Sequence, residues 1–134
     1  MDTSAPEILS PYEQIGAAEG IARVVDRFYD LMDEDPAYAT LRAMHAADLG
    51  PMRQSLAGFL SGWAGGPRDW FDANPGKCMM SMHSGFTVTR ETAGQWVEAM
   101  QRAFALCGLA DHPVALLMNE RFRMMAGGMA NAPL

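Results

Sequence analysis

The chain has 134 residues and a mass of 14.6 kDa, which suits a single domain with a buried core. Its formal net charge is −6, its pI is near 4.9, and its ten Lys and Arg residues form no basic stripe, so we expect neither nucleic acid nor an anionic membrane surface as a partner. Two cysteines without a CxxC pair, an acidic N-terminus and the lack of an apolar run of about 20 residues predict a soluble, cytoplasmic protein with reduced thiols.

The first strong pattern in chain order is an amphipathic helix. Residues 1–11 contain two prolines and are expected to form a flexible N-terminal arm, ahead of one domain at residues 12–129 and a short tail at 130–134. From Gly20 onward, apolar residues recur at the spacing of one helix face until Pro36 ends the run. These residues are Ile21, Val24, Val25, Phe28, Leu31 and Met32.

A second helix is predicted to begin at Pro51, because proline is favoured in the first turn of a helix. Its apolar face carries Met52, Leu56, Phe59, Leu60 and Trp63, and the sequence GGP at residues 65–67 ends it. Residues 67–85 follow no helical or strand period, so we expect a long loop there with at most a turn or two of helix near Met79–His83. Loops of this length are often functional.

Two further helices complete the pattern. Thr89 is a predicted N-cap for a helix that ends at Gly108, and Pro113 opens the last one. In the last helix, the residues expected to face inward are Val114, Leu117, Met118, Phe122, Met125 and Met129. No segment alternates in the manner of a strand, so the predicted fold class is all-α.

Motifs for several common chemistries are absent from the sequence. It contains no GxxxxGK[ST], GxGxxG, GxSxG or HExxH motif, which argues against a phosphate-loop, dinucleotide-binding, hydrolase or zinc-protease site. Of the three histidines and two cysteines, only Cys78 and His83 are close in sequence, and one such pair is weak evidence for zinc. Acidic residues such as Asp26 and Asp30 are expected on solvated helix surfaces.

The segment CMMSMHSGFTV at residues 78–88 places His83 among three methionines and a phenylalanine. A histidine there could be a spacer, a hydrogen-bonded core residue or a ligand to a bulky apolar group. Haem would match the third reading, because it needs an apolar slot, one neutral imidazole and a polar group opposite that imidazole. Tyr29 and Trp96 are candidates for the polar group, although the residue types alone do not decide between the three readings.

The order of several motifs resembles the truncated haemoglobins, specifically the second group, over about residues 12–129. The most specific elements are RFYDLM, FLSGWAGGP, and a histidine followed thirteen residues later by the tryptophan of QWVEAM. The resemblance implies a two-over-two helical sandwich around haem b. It also implies that His83 is the proximal iron ligand and that Tyr29 and Trp96 face the bound ligand, with His45 joining this distal network.

The same resemblance implies which residues contact the porphyrin. Met52 stands at a distal position where the family commonly has a small residue, so its thioether would screen the ligand or coordinate iron. Met82 replaces a basic residue that usually helps to hold a haem propionate, which leaves Lys77, Arg53 and Arg90 as substitutes. The predicted cofactor-binding residues, including the ligand, are His83, Met52, Leu56, Phe59, Leu60, Met79, Phe86, Trp96 and Met100.

The expected function is reversible binding of oxygen and other small diatomic ligands, such as carbon monoxide and nitric oxide, by a monomer or weak homodimer. Two other classes of function stay open at the level of sequence. One is a redox enzyme, a nitric oxide dioxygenase or peroxidase-like protein that uses the same haem and a reductase as partner. The other is a haem-free helical interaction module.

Overall fold

The computed structural model describes residues 9–45, 47–76 and 88–129 of the chain. Within these ranges the elements are all helical, as predicted from the sequence. In chain order they are α1 (Pro11–Gln14), α2 (Ala17–Glu34), a 3-10 helix (Pro36–Tyr38), α3 (Ala39–Ala43), α4 (Gly50–Trp63), α5 (Asp69–Ala73), α6 (Arg90–Leu106) and α7 (Pro113–Met129). None of these helices is long and apolar enough to cross a bilayer.

The four long helices form the frame of the molecule. Contacts join α2 to α4 and α6 to α7, and α2 also packs against α6, so two helix pairs stack as the predicted two-over-two sandwich. The core between them holds the largest fully buried side chains, among them Phe28, Tyr38, Phe104 and Phe122. Burial of these aromatic residues, together with the aliphatic residues around them, stabilises the packing.

The corner between α1 and α2 depends on glycine. Gly16 adopts a left-handed backbone with φ of 104°, and α2 begins directly after it, three residues before the predicted Gly20. Gly20 lies so close to the preceding chain that a Cβ atom would sit 1.9 Å from the carbonyl oxygen of Ile15. The backbone N–H of Tyr12 also donates to the carbonyl of Ala64 (2.9 Å), which joins α1 to the end of α4.

The sequence predicted a loop at residues 67–85, with helix only near Met79–His83. This prediction was wrong for the first part of the segment, where α5 forms. This helix has five residues, too few to show a period in the sequence. Trp70 of α5 joins this helix to α4, because the residue is 8% exposed and its indole N–H donates to the hydroxyl of Ser55 on α4 (3.0 Å). The expected turn near Met79–His83, the first eight residues of the arm and the tail at 130–134 lie outside the described residues.

The boundaries of α6 and α7 agree with the sequence pattern, but one residue predicted for the inward face of α7 points outward. Thr89 caps α6, since the N–H of Thr92 donates to its hydroxyl (3.0 Å), and Gly108 follows the helix with φ of 78°. Leu117, expected to face inward, is 51% exposed. The small residue Ala115 takes its place on the inward face of α7, beside Met118.

Candidate functional site

An apolar cavity lies between α3, α4, α6 and α7 and encloses about 820 Å³, including the part that is open to solvent. Most of its lining is apolar, as in small-molecule and cofactor sites. The cavity brings together residues that are far apart in the chain and that the sequence predicted for a haem site. These are His45, Met52, Leu56, Phe59, Leu60 and Trp96.

Helix α4 forms one wall of the cavity because its apolar residues recur at helical spacing. Leu56, Phe59 and Leu60 are buried on this face, and Met52 lies one turn before Leu56. The ring of Phe59 is held edge-on by Trp70, with ring centroids 5.4 Å apart, and stacks on Trp63 at 6.5 Å. This wall therefore presents a flat surface that is fixed by aromatic packing.

Helices α6 and α7 form a second wall around Trp96. The Trp96 ring contacts Phe28 edge to face (5.2 Å between centroids) and Phe122 in the same manner (5.4 Å). Its indole N–H donates no hydrogen bond to another described residue, so it is an available donor beside the cavity. The sequence assigned Phe122 and Met125 to the inward face of α7 but not to the site, which they also line.

Tyr29 lies on α2 and is not itself part of the cavity lining, but its ring meets the cavity-lining His45 edge to face (6.0 Å between centroids). The residue is 5% exposed. Burial raises the pKa of Tyr29 to about 12, and the nearby Arg53 guanidinium partly opposes that rise. The phenol therefore keeps its proton at neutral pH, and its hydroxyl can donate a hydrogen bond. None of the described residues forms a hydrogen bond with this hydroxyl.

His45 lines the cavity directly after α3. Its Nδ1 atom is 2.9 Å from the carbonyl oxygen of Leu41, and because a carbonyl can only accept, Nδ1 carries the hydrogen. In the neutral ring, Nε2 is then an acceptor. The N–H of Leu41 donates to the side-chain oxygen of Gln95 (3.2 Å), which fastens α3 to α6 and so fixes the position of His45.

The remaining predicted cofactor-binding residues fall into two groups. His83, Met79 and Phe86 lie outside the described residues, although Val88, which follows them, lines the cavity. Met100 is fully buried in the main core and is absent from the cavity wall.

The basic residues considered for the propionates are also separated. Arg53 directs both terminal nitrogens of its guanidinium group to Asp26 and Asp30 of α2, and Arg90 is exposed in the first turn of α6. Lys77 lies outside the described residues.

The described walls suit a flat group that is largely apolar. The Phe59 and Trp96 rings offer planar contact, and the thioether of Met52 adapts to irregular shapes. Tyr29 and Trp96 are donors without a hydrogen-bond partner among the described residues. Porphyrin has this flat apolar character, and polar donors on one face stabilise a polarised diatomic ligand at its centre.

Comparison with known proteins agrees with this geometry. The model of the bacterial-like globin family matches residues 10–131. The group 2 truncated haemoglobin YjbI of Bacillus subtilis (strain 168) is 29% identical over 122 residues, which cover 91% of this chain and 89% of that protein.

Two solved structures extend the comparison. The cold-adapted truncated haemoglobin of the Antarctic marine bacterium Pseudoalteromonas haloplanktis TAC125 is 30% identical with a TM-score of 0.86, covering 92% of this chain and 99% of that chain. A truncated oxygen-avid haemoglobin from Bacillus subtilis is 26% identical with a TM-score of 0.81, covering 92% and 100%. The chain therefore belongs to the bacterial-like globin family, as a group II truncated haemoglobin, and its cofactor is haem.

Proposed function

We propose that the protein binds oxygen reversibly at haem held by His83, and that Tyr29 and Trp96 donate hydrogen bonds to the ligand. The observation that carries this proposal is that Trp96 lines the apolar cavity, that Tyr29 lies behind its lining, and that both pack against Phe28. Neither donor has a hydrogen-bond partner among the described residues. Haem iron supplies the coordination position for a diatomic gas. Haem as cofactor excludes the haem-free interaction module that the sequence left open.

The chemistry of Tyr29 favours oxygen over less polar gases. Its raised pKa, near 12, keeps the phenol neutral, so the hydroxyl is a donor throughout the physiological pH range. A polarised oxygen ligand gains more from such a donor than carbon monoxide does, and the apolar cavity walls strengthen the interaction by limiting access of water. The name of the oxygen-avid Bacillus subtilis relative, which is 26% identical, supports the same choice of ligand.

Connectivity supports the role of His83. The other two histidines have backbone partners: His45 donates to the Leu41 carbonyl, and His112 accepts from the N–H of Val114 (3.1 Å) at the start of α7. His83 precedes the cavity-lining Val88 by five residues, and five residues of extended chain span at most about 18 Å. That length allows the His83 imidazole to reach the cavity.

Oxygen and carbon monoxide release rates of the ferrous protein test the distal part of this proposal. Tyr29→Phe should speed oxygen release by roughly five- to 150-fold, which corresponds to the loss of about 1 to 3 kcal/mol of hydrogen bonding, and should change carbon monoxide release far less. Tyr12→Phe is the matched control, because Tyr12 packs against Gly66 at the α1 corner. Equal changes for both gases would indicate a steric gate, and no change for either would refute the proposal.

A further inference from the structure

We infer that Arg53 is a positioning residue for Tyr29, because it bridges α2 and α4 across the Tyr29 ring and holds the hydroxyl in its donating orientation. This inference rests on the proposed function, in which the Tyr29 hydroxyl donates to oxygen. The sequence analysis considered Arg53 only as a residue that could hold a haem propionate. It did not assign Arg53 to the groups that act on the bound ligand.

The guanidinium group of Arg53, on α4, bonds two aspartates of α2, and we call this pair of contacts the Arg53 clamp. One terminal nitrogen, Nη1, donates to the backbone carbonyl (3.0 Å) and the carboxylate (3.1 Å) of Asp26, and Nη2 donates to the carboxylate of Asp30 (3.0 Å). Asp26 and Asp30 are one turn apart on α2, and Tyr29 lies between them in sequence. The central carbon of the guanidinium group stands 5.6 Å from the centroid of the Tyr29 ring.

Arg53 is one of three described groups in ring contact with Tyr29. Phe28 contacts the ring edge to face at 5.0 Å and His45 does so at 6.0 Å, while the guanidinium group provides a cationic contact. The planar fork of arginine can bond both carboxylates at once, which a lysine ammonium cannot do in the same geometry. Arg53 therefore restricts rotation of the phenol through contacts that are themselves fixed by α2.

The positive charge adds to this orienting effect. Although burial dominates and raises the pKa of Tyr29, the Arg53 guanidinium acts in the opposite direction by favouring the phenolate. A phenol whose ionised form is stabilised is a stronger hydrogen-bond donor. Loss of Arg53 should therefore weaken donation by Tyr29 even if the ring stays in place.

The chain contains a matched control for this arrangement. The Arg102 guanidinium group also lies 5.6 Å from a tyrosine centroid, that of Tyr38, and donates to the carboxylate of Asp35 (2.7 Å). The hydroxyl of Tyr38 donates to Glu98 (2.7 Å), and neither Tyr38 nor Arg102 lines the cavity. Arg102→Met thus removes the same kind of clamp at a place where no ligand is expected.

The test compares Arg53→Met, Arg53→Lys, Tyr29→Phe and Arg102→Met in the haem-loaded protein by stopped-flow release of oxygen and of carbon monoxide. Arg53→Met should speed oxygen release about three- to tenfold and leave carbon monoxide release nearly unchanged. Arg53→Lys should have a smaller effect, since it keeps the charge but loses the bridge. Arg102→Met should leave both rates as in the wild type.

The double variant Arg53→Met/Tyr29→Phe separates positioning through Tyr29 from a general structural effect. If Arg53 acts through Tyr29, the double variant should release oxygen no faster than Tyr29→Phe alone. A double variant whose effects simply multiply would overturn the inference. So would Arg53→Met with wild-type oxygen release, provided that Tyr29→Phe is fast.

Failure of the proposed function gives a different result, because Tyr29→Phe itself would then release oxygen at the wild-type rate. If Arg53→Met does not fold, Asp30→Asn replaces it, since this change removes the carboxylate that holds Nη2 while leaving Arg53 in place. Asp30→Asn should change oxygen release in the same direction as Arg53→Met and by a smaller factor. Unchanged oxygen release in Asp30→Asn and Arg53→Lys would count against the clamp.

Discussion

The imidazole ring of His45 meets the phenol ring of Tyr29 edge to face, with centroids 6.0 Å apart and planes at 78°. The Leu41 carbonyl holds Nδ1 of the same imidazole at 2.9 Å, so the ring cannot turn without losing that hydrogen bond. His45 thereby connects the cavity lining to the side of the proposed donor on α2. We therefore expect His45, like Arg53, to influence the orientation of Tyr29.

His45→Leu should reproduce part of the effect of Tyr29→Phe on oxygen release, because the leucine removes the edge contact and the hydrogen bond to Leu41. Adding His45→Leu to Tyr29→Phe should cause little further change, since both act on one donor. Met44→Leu is the control, being a volume-conserving change at a neighbouring residue that also lines the cavity. Independent effects of His45→Leu and Tyr29→Phe in stopped-flow measurements would contradict this coupling.

Trp96→Phe tests whether a second donor acts on the same ligand. Loss of the indole N–H should speed oxygen release by roughly five- to 150-fold, and carbon monoxide release should respond much less. The combination with Tyr29→Phe should depart from additivity, because two donors share one acceptor. If oxygen release in Trp96→Phe equals that of the wild type, Trp96 serves only in packing against Phe28 and Phe122.

His83→Ala should abolish stable iron ligation, and imidazole added to the solution should restore it by occupying the vacated position. The measurement is the absorption spectrum of the ferric and ferrous protein, with and without carbon monoxide. His112→Ala is the control, because His112 accepts a hydrogen bond from the backbone of α7 and lies outside the cavity lining. A wild-type ferrous spectrum in His83→Ala would show that another residue holds the iron.

The raised pKa of Tyr29 also predicts how stability depends on pH. The folded value is about 12 and the ordinary value is 10.0, so below pH 10 the phenol is protonated in both the folded and the unfolded state. Between pH 10 and 12 only the unfolded state ionises, and the free energy of unfolding should fall by about 2 to 3 kcal/mol from this group.

Urea unfolding at about pH 9 and about pH 12 measures this decrease in the free energy of unfolding. The decrease should be smaller in Tyr29→Phe than in the wild type by about 2 to 3 kcal/mol. The pKa of Tyr38 is also raised by burial, but Tyr38 is present in both proteins, so the difference isolates Tyr29. Identical pH dependence in the two proteins would mean that Tyr29 ionises as easily in the folded state as in the unfolded one.

Replacement of glycine by alanine should have opposite effects on stability at Gly20 and at Gly94. Gly20→Ala should destabilise the fold by about 1 to 3 kcal/mol or more, because its Cβ would lie 1.9 Å from the Ile15 carbonyl oxygen and the backbone would have to shift. Gly94→Ala, in the exposed middle of α6, meets no atom within 4 Å and should stabilise the helix by up to about 1 kcal/mol. Thermal or urea unfolding of both variants decides, and equal effects would contradict the close approach at Gly20.

Local features of the sequence determined the long helices and the residue composition of the α4 wall. Helical period is set by side chains three and four positions apart, so the face carrying Leu56, Phe59 and Leu60 could be found without knowing its partner. Thr89 and Gly108 were found in the same way, because a cap bonds the first turn of its own helix and a left-handed end needs glycine. His83 as iron ligand stays a prediction from the motif order.

Tertiary packing alone decided which residues meet across the site. Helix α5 is too short to carry a period, and Trp70 joins it to α4. Leu117 points outward because the inward face of α7 runs through Ala115, Met118 and Phe122. The meeting of Arg53, Tyr29 and His45 depends on how α2 packs against α4 and α3, since these three residues belong to different segments. Such long-range contacts leave no periodic trace in any one segment, because each side chain alone is consistent with an ordinary helix surface or core.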